Sequence, residues 1–354
     1  MLFKADDGKV LVGADFSQQE PRLLAAYSGD AKMIDSYREG KDLYAVMGSS
    51  VYHNKYEDNL EHYPDGSTFV EGKKRRSAMK AVLLGIMYGM GPGSLAERIG
   101  STKEEAKSII DNFYKGFPRV KEWIDSGERQ VKSLGYVEDI WGRRRRLPNA
   151  TLKEWEIKDK STDVEFNPIL YSKIHTKDSI KSKYYLEKLA NSRNKRDLDR
   201  IKLEALGDNI EIINNSSYIS RALRQCTNAR IQGSASTMTK KAMISIYNDS
   251  ELRDLGFDLL IAVHDELIGQ CPIKNASAVA KRLSYLMSSC VPELAIPFKC
   301  DAEIEPRWYY NVYKANMKEE YKHLLDSMGE QQAYNYICSN HIECTEEEIV
   351  EFIS

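Results

Sequence analysis

The stretch Leu259–Gln270, LLIAVHDELIGQ, constrains the chain most. An aliphatic run breaks at His264-Asp265-Glu266 and resumes at Leu267-Ile268, the pattern of a strand, a tight acidic turn and a returning strand. Two neighbouring carboxylates at the tip of an apolar hairpin are costly unless a cation lies against them. An acidic surface turn is an equally admissible reading of this stretch alone. A second site of the same kind shifts the balance. Val10-Leu11-Val12-Gly13-Ala14 runs directly into Asp15, followed by Phe16-Ser17-Gln18-Gln19-Glu20. Two apolar strands about 250 residues apart that each deliver an Asp are a plausible way to build a divalent-metal site from hard oxygen ligands with room for phosphate.

Between these strands, Lys73–Gly89 reads as a helix in which Arg76, Lys80, Leu84 and Tyr88 recur every four residues. They line one slowly rotating face. Twelve residues of helix span roughly 18 Å, enough for two cations and an aromatic ring to address different parts of a nucleotide. A solvated charged face is the plainer alternative, but Ala81-Val82-Leu83 and Ile86-Met87 point to a packed helix. Gly89-Met90-Gly91-Pro92-Gly93 ends it.

Residues 94–134 read as helical, with a cap at Ser101-Thr102-Lys103-Glu104 and a core stripe of Phe113, Phe117, Val120 and Trp123. Gly135–Gly142 reads as a hairpin, and Arg143 to Arg146 follow it. Consecutive arginines on a turn are a credible phosphate clamp, because guanidinium forks match phosphate geometry. Ser220–Tyr247 reads as one long helix with Arg224, Asn228, Gln232 and Gly233 on or near one face.

Composition excludes little. Hydrophobic content of 42%, charged content of 29% and a net charge of −2 describe an ordinary globular chain, so any nucleic-acid reading must rest on local clusters. Residues 151–218 are weakly patterned. Lys173–Lys202 holds ten Lys and Arg against four Asp and Glu; a backbone footprint and a solvated insertion fit it equally. The tail from Lys314 to Ser354 holds three Lys against nine Asp and Glu, with helical periodicity. The six cysteines show no C-x-x-C spacing and read as reduced thiols of a cytoplasmic protein. Cys338-x2-His341-x2-Cys344 has ligand-like spacing but lacks a fourth donor. No run approaches the ~18 residues that span a bilayer, so a membrane partner is not expected.

Together these segments resemble the polymerase core of family A DNA polymerases. Asp15-Phe16-Ser17-Gln18-Gln19-Glu20-Pro21-Arg22 is similar to the first palm motif, D-Y-S-Q-I-E-x-R. Arg76-x3-Lys80-x7-Tyr88-Gly89 matches the fingers motif, and Val263-His264-Asp265-Glu266 the second palm motif. Gly135-Tyr136-Val137 with Gly142-Arg143-Arg144, and Arg224-x3-Asn228-x3-Gln232-Gly233, resemble two further segments.

The resemblance implies an α+β fold: a palm of antiparallel sheet (1–30 and 221–312), helical fingers (31–220, with a basic insertion at about 151–218) and an acidic helical extension (313–354). It implies template-directed transfer of dNTPs onto a primer 3′-hydroxyl. Asp15, Asp265 and the Phe16 carbonyl would hold two Mg²⁺ ions, for which Mn²⁺ can substitute, with Glu266 in support. Arg76, Lys80, Leu84, Tyr88, Glu20 and Gln18 would meet the dNTP, Glu20 as a gate against ribose. Lys80 would donate a proton to the leaving group. Arg224, Asn228, Gln232, His264, Arg143 and Arg144 would meet primer–template DNA.

This chain departs from the family's pattern in several places. Leu84 stands where an aromatic residue is usual, Tyr44 where a phosphate-binding His is frequent, and Arg230 at an apolar or proline position. The chain starts just before the first palm motif, so it is expected to be one part of a split polymerase whose thumb and exonuclease come from a separate polypeptide or by splicing, or else a truncated fragment; a phage source, acting in host cytoplasm, would suit such a split. The rival readings are a single-subunit RNA polymerase and a non-catalytic DNA-binding subunit.

Overall fold

A computed structural model describes residues 3–159, 180–192, 194–308, 310–340 and 349–350. The chain divides into two compact units, Met1–Gln19 with Met238–Ser354, and Glu20–Thr237. The strands in chain order are β1 (Lys9–Phe16), β2 (Tyr136–Glu138), β3 (Arg144–Arg146), β4 (Trp155–Asp159), β5 (Ile210–Asn214), β6 (Asp258–Val263), β7 (Glu266–Pro272) and β8 (Cys300–Glu305).

The first unit is built on an antiparallel sheet of order β6-β7-β1-β8. Directly paired residues share a face. Val12, Ala14 and Phe16 of β1, with Leu267 of β7 and Cys300 of β8, are buried. Against β1 and β8 lies the helix Ala276–Ser288, whose Val279, Leu283 and Met287 are fully buried. The opposite face carries Gly13 and Asp15, paired with Ile268 and Glu266 on one side and with Glu303 and Asp301 on the other. One face is therefore apolar core and the other acidic. The expected hairpin is present, but Asp15 lies inside its strand rather than after it, and Glu266 begins the returning strand.

In the second unit the helices are α1 (Gln19–Ser28, whose first residue belongs to the other unit), α2 (Ala31–Arg38), α3 (Leu43–Tyr52) and α4 (Val70–Met87). They are followed by α5 (Pro92–Ile99), α6 (Lys103–Gly116), α7 (Pro118–Leu134), α8 (Ile180–Ala190), α9 (Lys195–Gly207) and α10 (Ser216–Asn248). α10 runs on past Thr237, the last residue of this unit. Asp30 and Asp42 cap α2 and α3 by accepting from the N–H groups of Met33 and Ala45. Met79, Val82, Leu83, Ile86 and Met87 of α4 are buried, so α4 is packed as its apolar residues suggested.

The region 94–134 is helical, in three helices, one of which starts at the expected cap, and Pro92 opens α5 instead of only ending α4. α6 begins with a capping box of Thr102 and Glu105. Phe113, Phe117, Val120 and Trp123 are buried as expected, although the stripe spans the α6–α7 junction.

The weakly patterned segment also has a fold. β4 and β5 pair antiparallel, and Ile157, Tyr185, Leu189, Ile201, Ala205 and Ile210 form a core of their own with α8 and α9. The tail folds into the helices α13 (Tyr310–Met328) and α14 (Glu330–Asn340), which follow α11 (Ser250–Asp254) and α12 (Ala276–Ser288). Met317, Ile337 and Ile349 form its core. Of the Cys338/His341/Cys344 group, His341 and Cys344 lie outside the described residues. Among the described residues no helix is long and apolar enough to cross a membrane.

Candidate active site

β1 and the β6–β7 hairpin deliver Asp15 and Asp265 to one place. The Phe16 N–H donates to the Asp265 carbonyl at 3.4 Å, and Val263 pairs with Glu266 across a turn in which His264 adopts a left-handed φ of 53°. That turn is held from α10, whose Thr239 hydroxyl donates to the His264 carbonyl at 3.5 Å and accepts from the Gln19 amide at 3.2 Å. A cleft of about 580 Å³ opens there, lined by Asp15, Ser17, His264, Asp265 and Glu266 and also by Asp301, Glu303 and Glu305. Gly13 leaves room for one of these groups, since a Cβ there would lie 3.3 Å from Glu266 Oε1.

The carboxylates raise one another. Burial first, and then the charge of Asp265, push the Asp15 carboxyl up to about 6, with Asp301 and Glu303 adding to the shift. The Asp15 side chain is nevertheless exposed at the cleft mouth, so its desolvation comes from the cleft walls. Glu266 is also raised, by burial and then by Asp15 and Glu305, while a hydrogen bond with Trp308 acts in the opposite sense.

Among the described residues no cation is ion-paired with Asp15 or Asp265. Among the described residues no group of three or more His, Cys, Asp or Glu side chains is placed to hold a metal ion.

The sequence reading placed Asp15, Phe16, His264, Asp265 and Glu266 together, and the structure does so. It missed Asp301, Glu303 and Glu305. Their alternation along β8 was a readable signal for one shared face, but nothing in it told that β8 lies beside β1.

In the second unit α4 presents Lys80 in the open and Leu84 half-buried. Arg76 is not a free cation. Its Nε donates to Asp42 Oδ2 at 2.8 Å, it approaches Glu61 at 3.5 Å, and it lies 5.3 Å over the ring of Tyr44. Tyr44 is buried and packs where the resemblance would put a phosphate-binding imidazole.

Tyr88 follows the last turn of α4 and donates to Glu20 Oε2 at 2.9 Å. Burial, and then the Glu20 hydrogen bond, push its phenol up to about 12, against a hydrogen bond with Gln232 that acts in the opposite sense. Glu20, Tyr88 and Gln232 thus form one network. Gly89, at φ 67°, allows the chain to approach α10 closely, because a Cβ there would lie 3.0 Å from Arg224 backbone.

Of the four arginines only Arg143 is on the turn, which its carbonyl closes by accepting from the Asp139 N–H at 2.9 Å. Gly142, at φ 85°, turns the chain earlier, and Arg144–Arg146 form β3, paired with β2. Arg144 donates to Glu138 at 3.0 Å and lies 4.6 Å over Tyr136. Arg143, Arg144 and Arg145 line a second cleft of about 420 Å³ with Asn228 and Gln232 of α10. Arg224 is exposed on the same helix. Arg230 points inward, 4.0 Å over Trp123 and 4.6 Å over Tyr27, and donates to the Trp123 carbonyl at 2.7 Å. The apolar character of its position is supplied by two rings around a cation.

The sequence model of DNA polymerase family A matches residues 1–310. The chain is 28% identical to DNA polymerase I of Chloroflexus aurantiacus over 306 residues, which are 86% of this chain and 25% of that protein. It is 25% identical to the thermostable DNA polymerase I of Thermus aquaticus, covering 86% and 28% of the two chains. Against DNA polymerase theta of Drosophila melanogaster identity is 28%, covering 86% of this chain and 12% of the other. The chain thus spans about a quarter of the length of the bacterial relatives. Its fold is similar to the POL domain of Pol1 from M. smegmatis, in complex with DNA primer-template and dNTP, with a TM-score of 0.59 at 23% identity over 86% of this chain and 41% of that one. With the family match covering most of its length and the two acidic strand ends in place, this chain belongs to DNA polymerase family A.

Proposed function

We propose that the chain carries the polymerising centre of a template-directed DNA polymerase, adding dNTPs to a primer 3′-hydroxyl during DNA replication. The observation that carries this reading is the meeting of Asp15 and Asp265 in an acidic cleft where burial, and then the charge of Asp265, hold the Asp15 carboxyl near 6. Asp15, Asp265 and the Phe16 carbonyl would hold two Mg²⁺ ions, which supply charge neutralisation and activation of the 3′-hydroxyl. In this reading the first unit contains the palm, and α2–α7 form the fingers.

Glu266 supports the carboxylate pair through the sheet register, and His264 faces the primer terminus from the hairpin tip. Lys80 binds the triphosphate and donates a proton to the departing pyrophosphate. Arg76 binds the triphosphate only by exchanging Asp42 or Glu61 for it. Glu20, held by Tyr88, closes the space that a ribose 2′-hydroxyl needs, with Gln18 nearby in the same motif. Arg224, Asn228 and Gln232 read the minor-groove side of the new duplex, and Arg143 and Arg144 meet its backbone. The matched stretch is about a quarter of the length of its bacterial relatives, and further parts that grip the duplex are proposed to come from a separate polypeptide. The mass of the native protein and of whatever co-purifies with it tells whether a separate polypeptide supplies them.

Extension of a mixed-sequence primer–template with dNTPs or rNTPs tests the reading. Templated dNTP addition well above rNTP addition supports it; equal use of both sugars would favour an RNA polymerase. Leu84→Phe should change the ratio of dideoxynucleotide to deoxynucleotide incorporation, and an unchanged ratio removes Leu84 from sugar selection.

A further inference from the structure

Asp139 is 4% exposed, and among the described residues no cation is ion-paired with it. Its carboxylate instead organises the turn between β2 and β3. One oxygen accepts from the N–H groups of Trp141 at 2.9 Å and Arg143 at 2.8 Å. The other accepts from the Thr237 hydroxyl of α10 at 2.6 Å. Beside it the Ile140 N–H donates to the Ser234 hydroxyl at 3.0 Å, and that hydroxyl donates to the Arg230 carbonyl at 2.7 Å. Ser234 and Thr237 are one helical turn apart, so the turn is bolted to α10 at two points. The same turn starts the run Arg143–Arg145, and the same helix carries Asn228 and Gln232 in the cleft these side chains share.

We propose that Asp139 is a positioning residue for DNA binding. Its buried carboxylate fixes the arginine strand against α10, so that Arg143 and Arg144 meet the duplex backbone in register with Asn228 and Gln232. This rests on the reading of those four residues as DNA contacts. A buried carboxylate at the start of the arginine run should, by charge alone, weaken affinity for a polyanion. Its removal therefore strengthens binding if charge is all that matters and weakens it if positioning matters. Asn at this position keeps one oxygen for the two backbone N–H groups and can donate to the Thr237 hydroxyl, so it retains the geometry without the charge.

The test is fluorescence anisotropy of a labelled primer–template over a salt series, with the full chain together with whatever polypeptide co-purifies with it, each variant first checked for parent-like melting. Arg143→Ala with Arg144→Ala is expected to flatten the slope of log affinity against log salt by about 1.8, at ~0.9 per phosphate contact. An unchanged slope there, or no binding by the parent, removes the underlying reading whatever Asp139 does. With that slope flattened, Asp139→Ala should bind about tenfold more weakly near ~0.1 M salt with a slope lower by about one, while Asp139→Asn binds at least as tightly as the parent. Parent-like or tighter binding by Asp139→Ala overturns the proposal. If Asp139→Ala does not fold, Thr237→Val decides. A loss of a few fold supports the positioning role, and parent affinity and slope overturn it.

Discussion

The backbone N–H of Phe16 donates to the carbonyl oxygen of Asp265 at 3.4 Å, tying the end of β1 to the turn between β6 and β7. Two carboxylates from opposite ends of the sequence are thereby held in one cleft with Asp301 and Glu303 behind them. The fold maintains this repulsion, and it should be measurable.

Asp15 holds its proton more tightly in the folded chain, at about 6, than at its ordinary value of 3.8. Its contribution to stability is full below about 3.8 and is lost as pH rises through about 6. Asp15→Asn should therefore melt above the parent at neutral pH in chelator, with the gap closing in acid. Added Mg²⁺ should raise the parent's Tm and not the variant's. Equal melting at neutral pH would contradict this account of the cleft.

Arg76 shares its charge with Asp42 and Glu61. Asp42 also caps α3, so Glu61 is the cleaner position to change. Glu61→Gln should lower the KM for dNTP by up to about fivefold, the size of a partly exposed ion pair, with kcat unchanged. A raised KM would mean that Glu61 orients Arg76 rather than competing for it.

Glu20 receives the Tyr88 hydroxyl at 2.9 Å. Tyr88→Phe removes that bond to a charged acceptor and frees the Glu20 carboxylate. Ribonucleotide incorporation relative to deoxyribonucleotide should rise about tenfold. An unchanged sugar ratio would show that packing alone places Glu20.

Asp249 caps α11 through the Leu252 N–H at 2.9 Å and receives two nitrogens of Arg282. The Arg282 hydrogen bonds hold its carboxyl below the usual range. Asp249→Ala should cost about 1–3 kcal/mol at neutral pH by urea unfolding. Because the folded pKa is depressed, that stability is present above about pH 4 and is lost only as pH falls further. A gap that narrows well above pH 4 would contradict this assignment.

Much of this was legible in the sequence because it is written in short periods. The two acidic strands show themselves as apolar runs that lead into Asp, and the packed α4 and the Phe113–Trp123 stripe in three- and four-residue spacing. Sheet register is not written that way, so Asp301 and Glu303 beside Asp15 were missed. Nor did spacing reveal that Arg76 meets Asp42, 34 residues away. Arg143–Arg146 looked like a turn because the bend at Gly142 comes directly before the run, whose last three residues are strand. Residues 151–218 looked weakly patterned because β4 and β5 are short and the core there forms only when β4, β5, α8 and α9 come together.

The central claim is that Asp15 and Asp265 carry out templated nucleotide addition, and single-turnover primer extension tests it most directly. The parent and Asp265→Asn would be compared with Mg²⁺ and the next templated dNTP, each with whatever polypeptide co-purifies from the source. We predict addition of the templated nucleotide by the parent and a loss of at least about a thousandfold in the variant, with primer–template binding retained. Addition by Asp265→Asn at the parent's rate, or none by the parent while it still binds primer–template, would contradict the account.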